Sequence, residues 1–152
     1  MEHIKQLFLI LMALISLSAF GQELKESEVP KEVRECFKAK YPDVYVYEWE
    51  WKRKKMIYEA EFIMKGRKYE ATFTKEGEWI KTERDIKKAD LPQKVWDGLS
   101  QTEYAAWKVD DIEEHSTPKY ELVYEIEVKS KKRKVLLYFL PNGKLVETEV
   151  KR

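Results

Sequence analysis

Apolar and polar residues alternate along two adjacent segments in the first half of the chain, which is the pattern of strands with one buried face. Ala60 and Phe62 alternate with polar residues, and Ala71 and Phe73 do so a few positions later. Between these segments, residues 65–66 (Lys-Gly) form a predicted two-residue hairpin turn, in which glycine supplies the positive φ that such turns require. The pattern therefore predicts an antiparallel hairpin whose apolar residues face a core.

A second hairpin turn is predicted around Gly77 and again around Gly143, where the Asn-Gly dipeptide is a strong hairpin signal. A two-residue loop at the second position pairs Phe139 with Val146. A three-residue loop with a bulge would instead turn Glu147 toward the core. Because burying an unpaired charge is costly, we predict the two-residue loop.

Residues 58–86 and 124–152 are two copies of one unit, offset by 66 positions without a gap. Ten of the twenty-nine positions carry the same residue in both copies. They include the turn glycines Gly77 and Gly143 and the aromatic residues Phe73 and Phe139. A supersecondary unit of this kind buries its apolar face best beside a neighbouring copy, so the repeat predicts an architecture and no particular reaction.

A helix is predicted at the start of each half. Each helix has a proline in its first turn, Pro30 or Pro92, where the missing N–H costs nothing. Asp90 can cap the second helix. Cys36 is the only cysteine of the chain, and its place on the first helix predicts a buried structural thiol. The apolar stripe of this helix consists of Val33, Cys36, Phe37 and Tyr41.

These elements combine into an α+β fold of two tandem repeats, residues 28–88 and 89–152. Each repeat has a helix, an initial strand and a three-stranded antiparallel meander. Side by side, the repeats form one continuous sheet of about eight strands, with the helices on one face and the other face open. No Gly/Ser-rich linker separates them. We therefore predict a single domain over residues 22–152.

The amino terminus has the features of a secretory signal peptide over residues 1–21. An apolar stretch follows Lys5, and small residues precede a cleavage site near Gly21 and Gln22. The apolar stretch is shorter than the roughly twenty residues of a spanning helix. No cysteine directly follows it that could carry a lipid. We expect a periplasmic or secreted protein with no membrane attachment after cleavage.

Composition argues against several classes of function. Lysine and arginine outnumber aspartate and glutamate by one, so the molecule has no overall field that would attract nucleic acid. After cleavage His115 is the only histidine, so the sequence offers no histidine cluster for a transition metal and no cysteine–histidine pair. It also has no glycine-rich phosphate loop and no Gly-x-Ser-x-Gly motif. We expect neither catalytic residues nor a resident metal or cofactor.

Several of these motifs resemble a known family. The helix that begins at Val29-Pro30 and ends at Tyr41-Pro42, the hairpin that begins at Tyr58, the turn at Gly77 and their second copies are similar to those of PepSY-like exported bacterial proteins. The fold of that family is similar to the β-lactamase inhibitor protein. The leader that ends at Gln22 resembles those of the Bacteroidetes. The resemblance covers the whole mature chain and implies a non-enzymatic, periplasmic or secreted binding module, with protease or β-lactamase inhibition suggested for relatives.

The open face of the predicted sheet is the candidate partner-binding surface. One interpretation is a solvated, charge-laced face. The other is an apolar and aromatic patch, ringed by glutamates, that receives an exported protein or peptide. The alternative function is a sensor whose glutamate rows bind Ca²⁺ or a polyamine, although a flat sheet offers fewer oxygens than Ca²⁺ requires. The candidate residues are Trp79, Leu136, Tyr138, Leu145, Glu61, Glu70, Glu83, Glu127 and Glu149.

The initial strand over residues 44–51 is a further candidate. Tyr45, Tyr47, Trp49 and Trp51 share one face, and Val44, Val46, Glu48 and Glu50 share the other. If the glutamates face water, the four aromatic residues belong to the core. If the valines face inward, the four aromatic residues extend the open face, and Tyr47, Trp49 and Trp51 join the candidate surface. Both interpretations stay open at the level of sequence.

Overall fold

Nine β-strands and two α-helices form the part of the chain that the computed structural model describes, residues 21–151. The helices are α1 (Lys31–Lys40) and α2 (Gln93–Ser100), and short 3-10 helices cover Glu26–Glu28 and Lys88–Asp90. The strands are β1 (Gln22–Leu24), β2 (Val46–Lys52), β3 (Ile57–Met64), β4 (Arg67–Thr74), β5 (Trp79–Asp85), β6 (Lys108–Ser116), β7 (Val123–Lys129), β8 (Lys134–Phe139) and β9 (Leu145–Lys151). They are hydrogen-bonded to one another in sequence order, from β1 to β9. The predicted signal peptide lies outside the described residues, apart from Gly21.

The sheet confirms the predicted fold class and has one strand more than expected. The additional strand, β1, pairs with β2 in antiparallel orientation, so that Glu23 lies opposite Glu50. Its three residues are too few to show an alternating pattern, which is why the sequence did not reveal it. No helix within residues 21–151 combines the length and the apolar character that crossing a bilayer requires.

Backbone contacts divide the chain into two compact units. The first contains the described residues up to Phe62 together with Thr72–Trp79. The second contains Ile63–Ala71 and the described residues from Ile80 onward. Helix α1 belongs to the first unit and α2 to the second. The single domain predicted over residues 22–152 stays a prediction.

In the first unit, α1 buries the centre of its predicted apolar stripe. Val33 and Phe37 are buried, and the Phe37 ring lies 5.7 Å from the Trp49 ring and 5.1 Å from the Phe62 ring, in edge-to-face arrangements. Cys36 is only half-buried, contrary to its predicted burial. The reason is that Val33 and Phe37, four residues apart, centre the buried face, and Cys36 lies at its margin.

In the second unit, Val95 and Leu99 of α2 belong to one buried cluster with Phe139. The helix begins after Pro92, whose extended backbone (φ −57°, ψ 141°) makes it the N-cap residue. Asp90 lies in the preceding 3-10 helix, so its predicted capping role is wrong. The fixed φ of proline defines the start of the helix without a side-chain cap.

Two of the hairpin turns predicted from the sequence differ in geometry. Lys65 and Gly66 both have positive φ, 51° and 72°, which confirms the two-residue turn between β3 and β4. In the β8–β9 turn, the N–H of Leu140 donates to the carbonyl of Lys144, and the N–H of Gly143 donates to the carbonyl of Leu140. With Gly143 at φ 85°, this is a three-residue loop with a bulge. The predicted two-residue loop is therefore wrong.

The pairing of β8 with β9 explains why the bulged loop buries no charge. Phe139 pairs with Leu145, not with Val146 as predicted. A second irregularity follows at once, so that Tyr138 pairs with Glu147. Because each irregularity shifts the strand by one residue, the two together restore the alternation of faces. Glu147 thus keeps the outward position that the two-residue loop was expected to give it.

The glycine of each bulged turn touches the helix of its own unit. A Cβ atom on Gly143 would lie 2.0 Å from the carbonyl oxygen of Lys94 in α2. A Cβ atom on Gly77 would lie 2.7 Å from the carbonyl carbon of Glu32 in α1. Both contacts exclude any side chain, and both glycines need positive φ. The turn glycines common to the two repeats therefore serve the turn and the helix packing together.

A bulge in β2 decides which side chains of residues 44–51 are buried. The pairing of β2 with β3 skips one residue between Val46 and Glu48, so Tyr47 is the extra residue. Beyond the bulge, Trp49 is in the core with 4% exposure. Tyr47 is 40% exposed, and its hydroxyl donates to Oε2 of Glu61 at 2.7 Å. Each of the two interpretations is therefore correct for a different part of the strand.

Candidate binding face of the second unit

Carboxylates collect on the side of strands β5 to β9 that is opposite the buried cluster of the second unit. Glu113 pairs with Glu125, which in turn pairs with Tyr138. Directly paired residues share a face, so the register aligns these side chains in rows across the strands. We call this surface the acidic face. It consists of Lys81, Glu83, Asp85, Asp111, Glu113, His115, Glu125, Glu127, Leu136, Tyr138, Glu147, Glu149 and Lys151.

A groove of about 420 Å³ lies on the acidic face. Its lining has two ammonium groups, those of Lys81 and Lys151, against six carboxylates. This excess of negative charge favours cationic ligands over anionic ones. The six carboxylates belong to Glu83, Asp111, Glu113, Glu125, Glu127 and Glu149.

His115 is the most buried polar residue of the acidic face, with 4% exposure. Its Nε2 atom lies 2.6 Å from Oε2 of Glu113, 3.3 Å from Oε2 of Glu83 and 3.7 Å from Oε2 of Glu125. The imidazole thus joins carboxylates from three different strands. We call these four residues the His115 cluster.

Lys81 places an ammonium group beside this cluster, through an ion pair with Glu83. Burial alone would lower the pKa of Lys81, but its hydrogen bond to Glu83 and the charges of Glu83, Glu113 and Glu125 together raise it. The hydrogen bond to His115 lowers the pKa of Glu113 despite its burial. Lys81 therefore stays charged and partly neutralises the carboxylates around it.

Glu125 and Tyr138 form a hydrogen-bonded pair in the groove. Burial raises the pKa of Glu125, and the charge of Glu113 adds to this effect, against the opposing hydrogen bond from Tyr138. Burial also raises the pKa of Tyr138, as do its hydrogen bond to Glu125 and the nearby charges of Glu149 and Glu147. The phenol is therefore neutral at physiological pH, and its O–H group donates a hydrogen bond to the Glu125 carboxylate.

The edge of the acidic face formed by β5 and β6 is not neutralised in the same way. Burial and the charges of Asp111, Glu113 and Glu83 raise the pKa of Asp85. A raised pKa in a carboxyl means that its ionised form is held less well than in water. A cation bound at this edge would reduce the repulsion between Asp85 and the neighbouring carboxylates.

Leu136 forms part of the floor of the groove and not of an exposed patch. It is only 3% exposed, contrary to our expectation. It pairs with Glu127 on β7 and with Glu149 on β9, so the methylene groups of two long side chains flank it. Tyr138, Glu127 and Glu149 lie on the predicted face.

Leu145 and Trp79 do not share the acidic face, so their predicted position is corrected. Leu145 pairs with Phe139, which belongs to the core side of the sheet, and is 36% exposed. Trp79 is the equivalent residue of the first unit, where the ammonium group of Lys40 in α1 lies 3.4 Å from its ring centroid. The irregularity between Leu145 and Glu147 in β9 puts Leu145 on the core side, and the contact with Lys40 puts Trp79 on the side of α1.

The other candidate residues lie in different surroundings. Glu61 accepts the hydrogen bond from Tyr47 described above. Trp49 is in the core, and the half-buried ring of Trp51 lies 4.5 Å from that of Tyr58. Glu70 is half-buried on β4. Their role in partner binding stays a prediction.

Eight residues of the acidic face were missing from the sequence-based candidates: Lys81, Asp85, Asp111, Glu113, His115, Glu125, Glu147 and Lys151. A signal for three of them exists, because Asp111, Glu113 and His115 alternate along β6 with the period of a strand. Their alignment with the glutamates of β7 depends on the register, which alternation alone does not give.

Two overlapping groups of side chains on the acidic face could hold a cation. One ligand atom each from Glu83, Glu113 and His115 lie within 4.8 Å of one another, and the same is true of Asp85, Asp111 and Glu113. Imidazole and carboxylate together suit divalent transition metals. The first group also has the Lys81 ammonium beside it, which competes for the same oxygens.

The sequence matches the PepSY-like family, described as beta-lactamase-inhibitor-like, over residues 18–64 and again over 56–147. The chain belongs to the PepSY-like family. The two successive matches confirm the tandem repeat, and no curated protein matches the chain. The family and its fold are inhibitor-like by description.

Solved structures of related Bacteroides proteins have the same fold. A BLIP-like protein from Bacteroides fragilis is 26% identical with a TM-score of 0.65, over 80% of this chain and 85% of its own. A DUF2874 family protein from Bacteroides ovatus is 28% identical with a TM-score of 0.64, over 80% of this chain and 86% of its own. A predicted periplasmic protein from Bacteroides eggerthii is 22% identical with a TM-score of 0.63, over 80% of this chain and 88% of its own.

Proposed function

We propose that this PepSY-like protein is a non-enzymatic exported binding module that docks another exported protein through the acidic face of its second unit. The observation that carries the proposal is the groove in which six carboxylates outnumber two ammonium groups. A lining of this kind selects a partner with a basic surface. We further propose that the partner is an exported hydrolase that the module inhibits or escorts, in keeping with the beta-lactamase-inhibitor-like description of the family.

Electrostatic complementarity supports docking in two ways. It accelerates the encounter with a basic partner, and it discriminates against acidic ones because like charges repel. Burial and, after it, the charges of Asp111, Glu113 and Glu83 raise the pKa of Asp85, so the ionised form of this carboxyl is not fully stabilised within the protein. A lysine or arginine of a partner would place a positive charge beside Asp85 and stabilise its ionised form.

The test is affinity capture from a periplasmic extract with three forms of the protein. The first is wild type. The second carries Asp111→Asn and Glu127→Gln on the acidic face, outside the His115 cluster. The third carries Glu76→Gln and Glu78→Gln on the exposed β4–β5 turn and has the same net charge as the second. We expect recovery of the partner to fall about tenfold with the second form only, and to fall with added salt. Equal recovery by all three forms contradicts the proposal.

A second candidate function is binding of a divalent cation at the His115 cluster. The observation that favours it is the convergence of the His115 imidazole with the carboxylates of Glu83 and Glu113. The Lys81 ammonium opposes it, because it already forms an ion pair with Glu83. We therefore expect wild type to bind Zn²⁺ only weakly, and removal of this ammonium to strengthen binding.

Calorimetric titration of wild type and Lys81→Met with Zn²⁺ and Ca²⁺ tests this candidate. Methionine keeps most of the side-chain volume and removes the charge. Tighter Zn²⁺ binding by the variant, abolished by His115→Gln in the same background, is the expected result. The absence of heat with either ion in both proteins would rule the cation function out.

A further inference from the structure

Strand β9 is the last strand of the sheet, and within residues 21–151 no other strand pairs with its outer edge. Six of its seven residues are exposed, including Val150 with 52% exposure. Along an edge strand, every second residue directs its N–H and C=O away from the neighbouring strand. The outer edge of β9 therefore offers a row of backbone groups to which a further strand can add.

The edge of β9 has few of the features that prevent strand addition. It contains no proline, and its one irregularity lies at its start, next to Leu145. Residues 147–151 pair regularly with β8. The opposite edge of the sheet, β1, has only three residues. A regular stretch of five residues is long enough to align an extended peptide.

The two faces of β9 define what the added strand must carry. Glu147 and Glu149 point to the acidic face, because they pair with Tyr138 and Leu136. Thr148 and Val150 alternate with them on the other face. A strand beside β9 would thus meet the carboxylates of Glu147 and Glu149 and then the ammonium group of Lys151 on one face, and small or β-branched side chains on the other. Lysine or arginine opposite the two glutamates, alternating with valine-like residues, satisfies both faces over these positions.

We propose that β9 binds an extended segment of the partner as an additional strand, in which basic residues alternate with β-branched or other apolar residues. This strand addition rests on the proposed docking through the acidic face and specifies how the partner is bound. Backbone hydrogen bonds supply affinity, and the side chains opposite Glu147 and Glu149 supply selectivity.

A second copy of this chain fits the same edge less well. Pairing β9 with itself about Thr148 would place Glu147 opposite Glu149 twice, and pairing about Glu149, the centre of the regular residues 147–151, would place Glu147 opposite Lys151 but Glu149 opposite its own copy. Like charges in direct opposition destabilise a strand pair. A basic segment from another protein replaces that repulsion with two ion pairs.

Synthetic peptides test the proposal without altering the protein. The probe is a seven-residue peptide in which lysine alternates with valine, and its control has the same composition with the lysines contiguous. Two further versions carry N-methyl groups on alternate residues, one on each edge of the extended peptide. Only one edge can face β9, so we expect one N-methylated version to bind at least about tenfold more weakly and the other to keep the affinity of the probe. We expect the contiguous control to bind about tenfold more weakly than the probe.

Protein variants test whether the peptide binds beside Glu147 and Glu149. Glu147→Gln with Glu149→Gln should weaken the probe about tenfold, whereas the turn variant Glu76→Gln with Glu78→Gln should not. Equal affinities of both N-methylated peptides overturn strand addition. If both N-methylated peptides bind equally but affinity capture of the partner still depends on Asp111 and Glu127, docking through the acidic face stands and only strand addition is wrong. Concentration-dependent dimerisation of the protein alone, blocked by the probe, would make a second copy the occupant and likewise overturn the proposal.

Discussion

Leu136 gives the sharpest test of how the acidic face is built. A leucine on the open face of a sheet is either an exposed contact for a partner or a buried part of the scaffold, and its 3% exposure indicates the second. Leu136→Ala removes buried methyl groups and leaves a cavity, which typically costs about 2–5 kcal/mol of the free energy of unfolding. We expect about 2–3 kcal/mol, because the flexible side chains of Glu127 and Glu149 can partly fill the space.

The matched control is Leu145→Ala in the neighbouring strand. This leucine is 36% exposed, so the same truncation should cost about 1 kcal/mol or less. Urea denaturation followed by tryptophan fluorescence measures both variants. With a slope of about 1–3 kcal/mol/M, the loss in Leu136→Ala lowers the midpoint by about 0.7 to 3 M.

Equal midpoint shifts in the two variants, or a loss below about 0.5 kcal/mol in Leu136→Ala at unchanged slope, would refute the reasoning. A variant that retained wild-type stability but captured less partner would restore Leu136 to the role of an exposed contact. The experiment therefore separates a structural leucine from a binding one.

Two further predictions follow from packing and from charge. Gly98→Ala should lower stability by about 1–3 kcal/mol although alanine favours helices, because the added Cβ would lie 2.1 Å from the carbonyl oxygen of Gly143; a higher urea midpoint would contradict this. Burial raises the pKa of Glu125 in the folded protein above its unfolded value of about 4.3. Its contribution to the free energy of unfolding is therefore fully present below the unfolded pKa and is lost as the pH rises through the folded pKa. The free energy of unfolding of wild type minus that of Glu125→Gln should therefore fall between pH 4 and pH 7, and a difference that rises over this range would count against it.

Local signals in the sequence were sufficient for most of the fold. The helix stripe around Val33 and Phe37 and the turn at Gly66 depend on residues close in the chain, and both are confirmed. Strict alternation misplaces Leu145 and leaves the face of Tyr47 undecided, and both residues lie next to bulges, in β9 and in β2. A bulge moves every following side chain to the other face, so a strictly alternating pattern misplaces the residues beside it.

The candidate site was predictable only in part for a related reason. Alternation placed Glu127 and Glu149 on one face of the sheet, where the structure also has them. The His115 cluster draws Glu83 from β5, Glu113 from β6 and Glu125 from β7. Strands β5 and β6 are separated by α2 in the chain, and no turn signal fixes their relative register. Long-range pairing alone brings these side chains together.

The sequence by itself determined the repeated scaffold: two helix-and-meander repeats, their core residues and their turn glycines. These follow from periodicity and backbone preferences, which act over a few residues. Only the tertiary structure decided that Leu136 is buried, that Leu145 turns to the core side and that the carboxylates surround His115. The close approach of Gly143 to Lys94 in α2 and the register that assembles the cluster are the structural reasons. Both arise between segments distant in the chain, so no local pattern contains them.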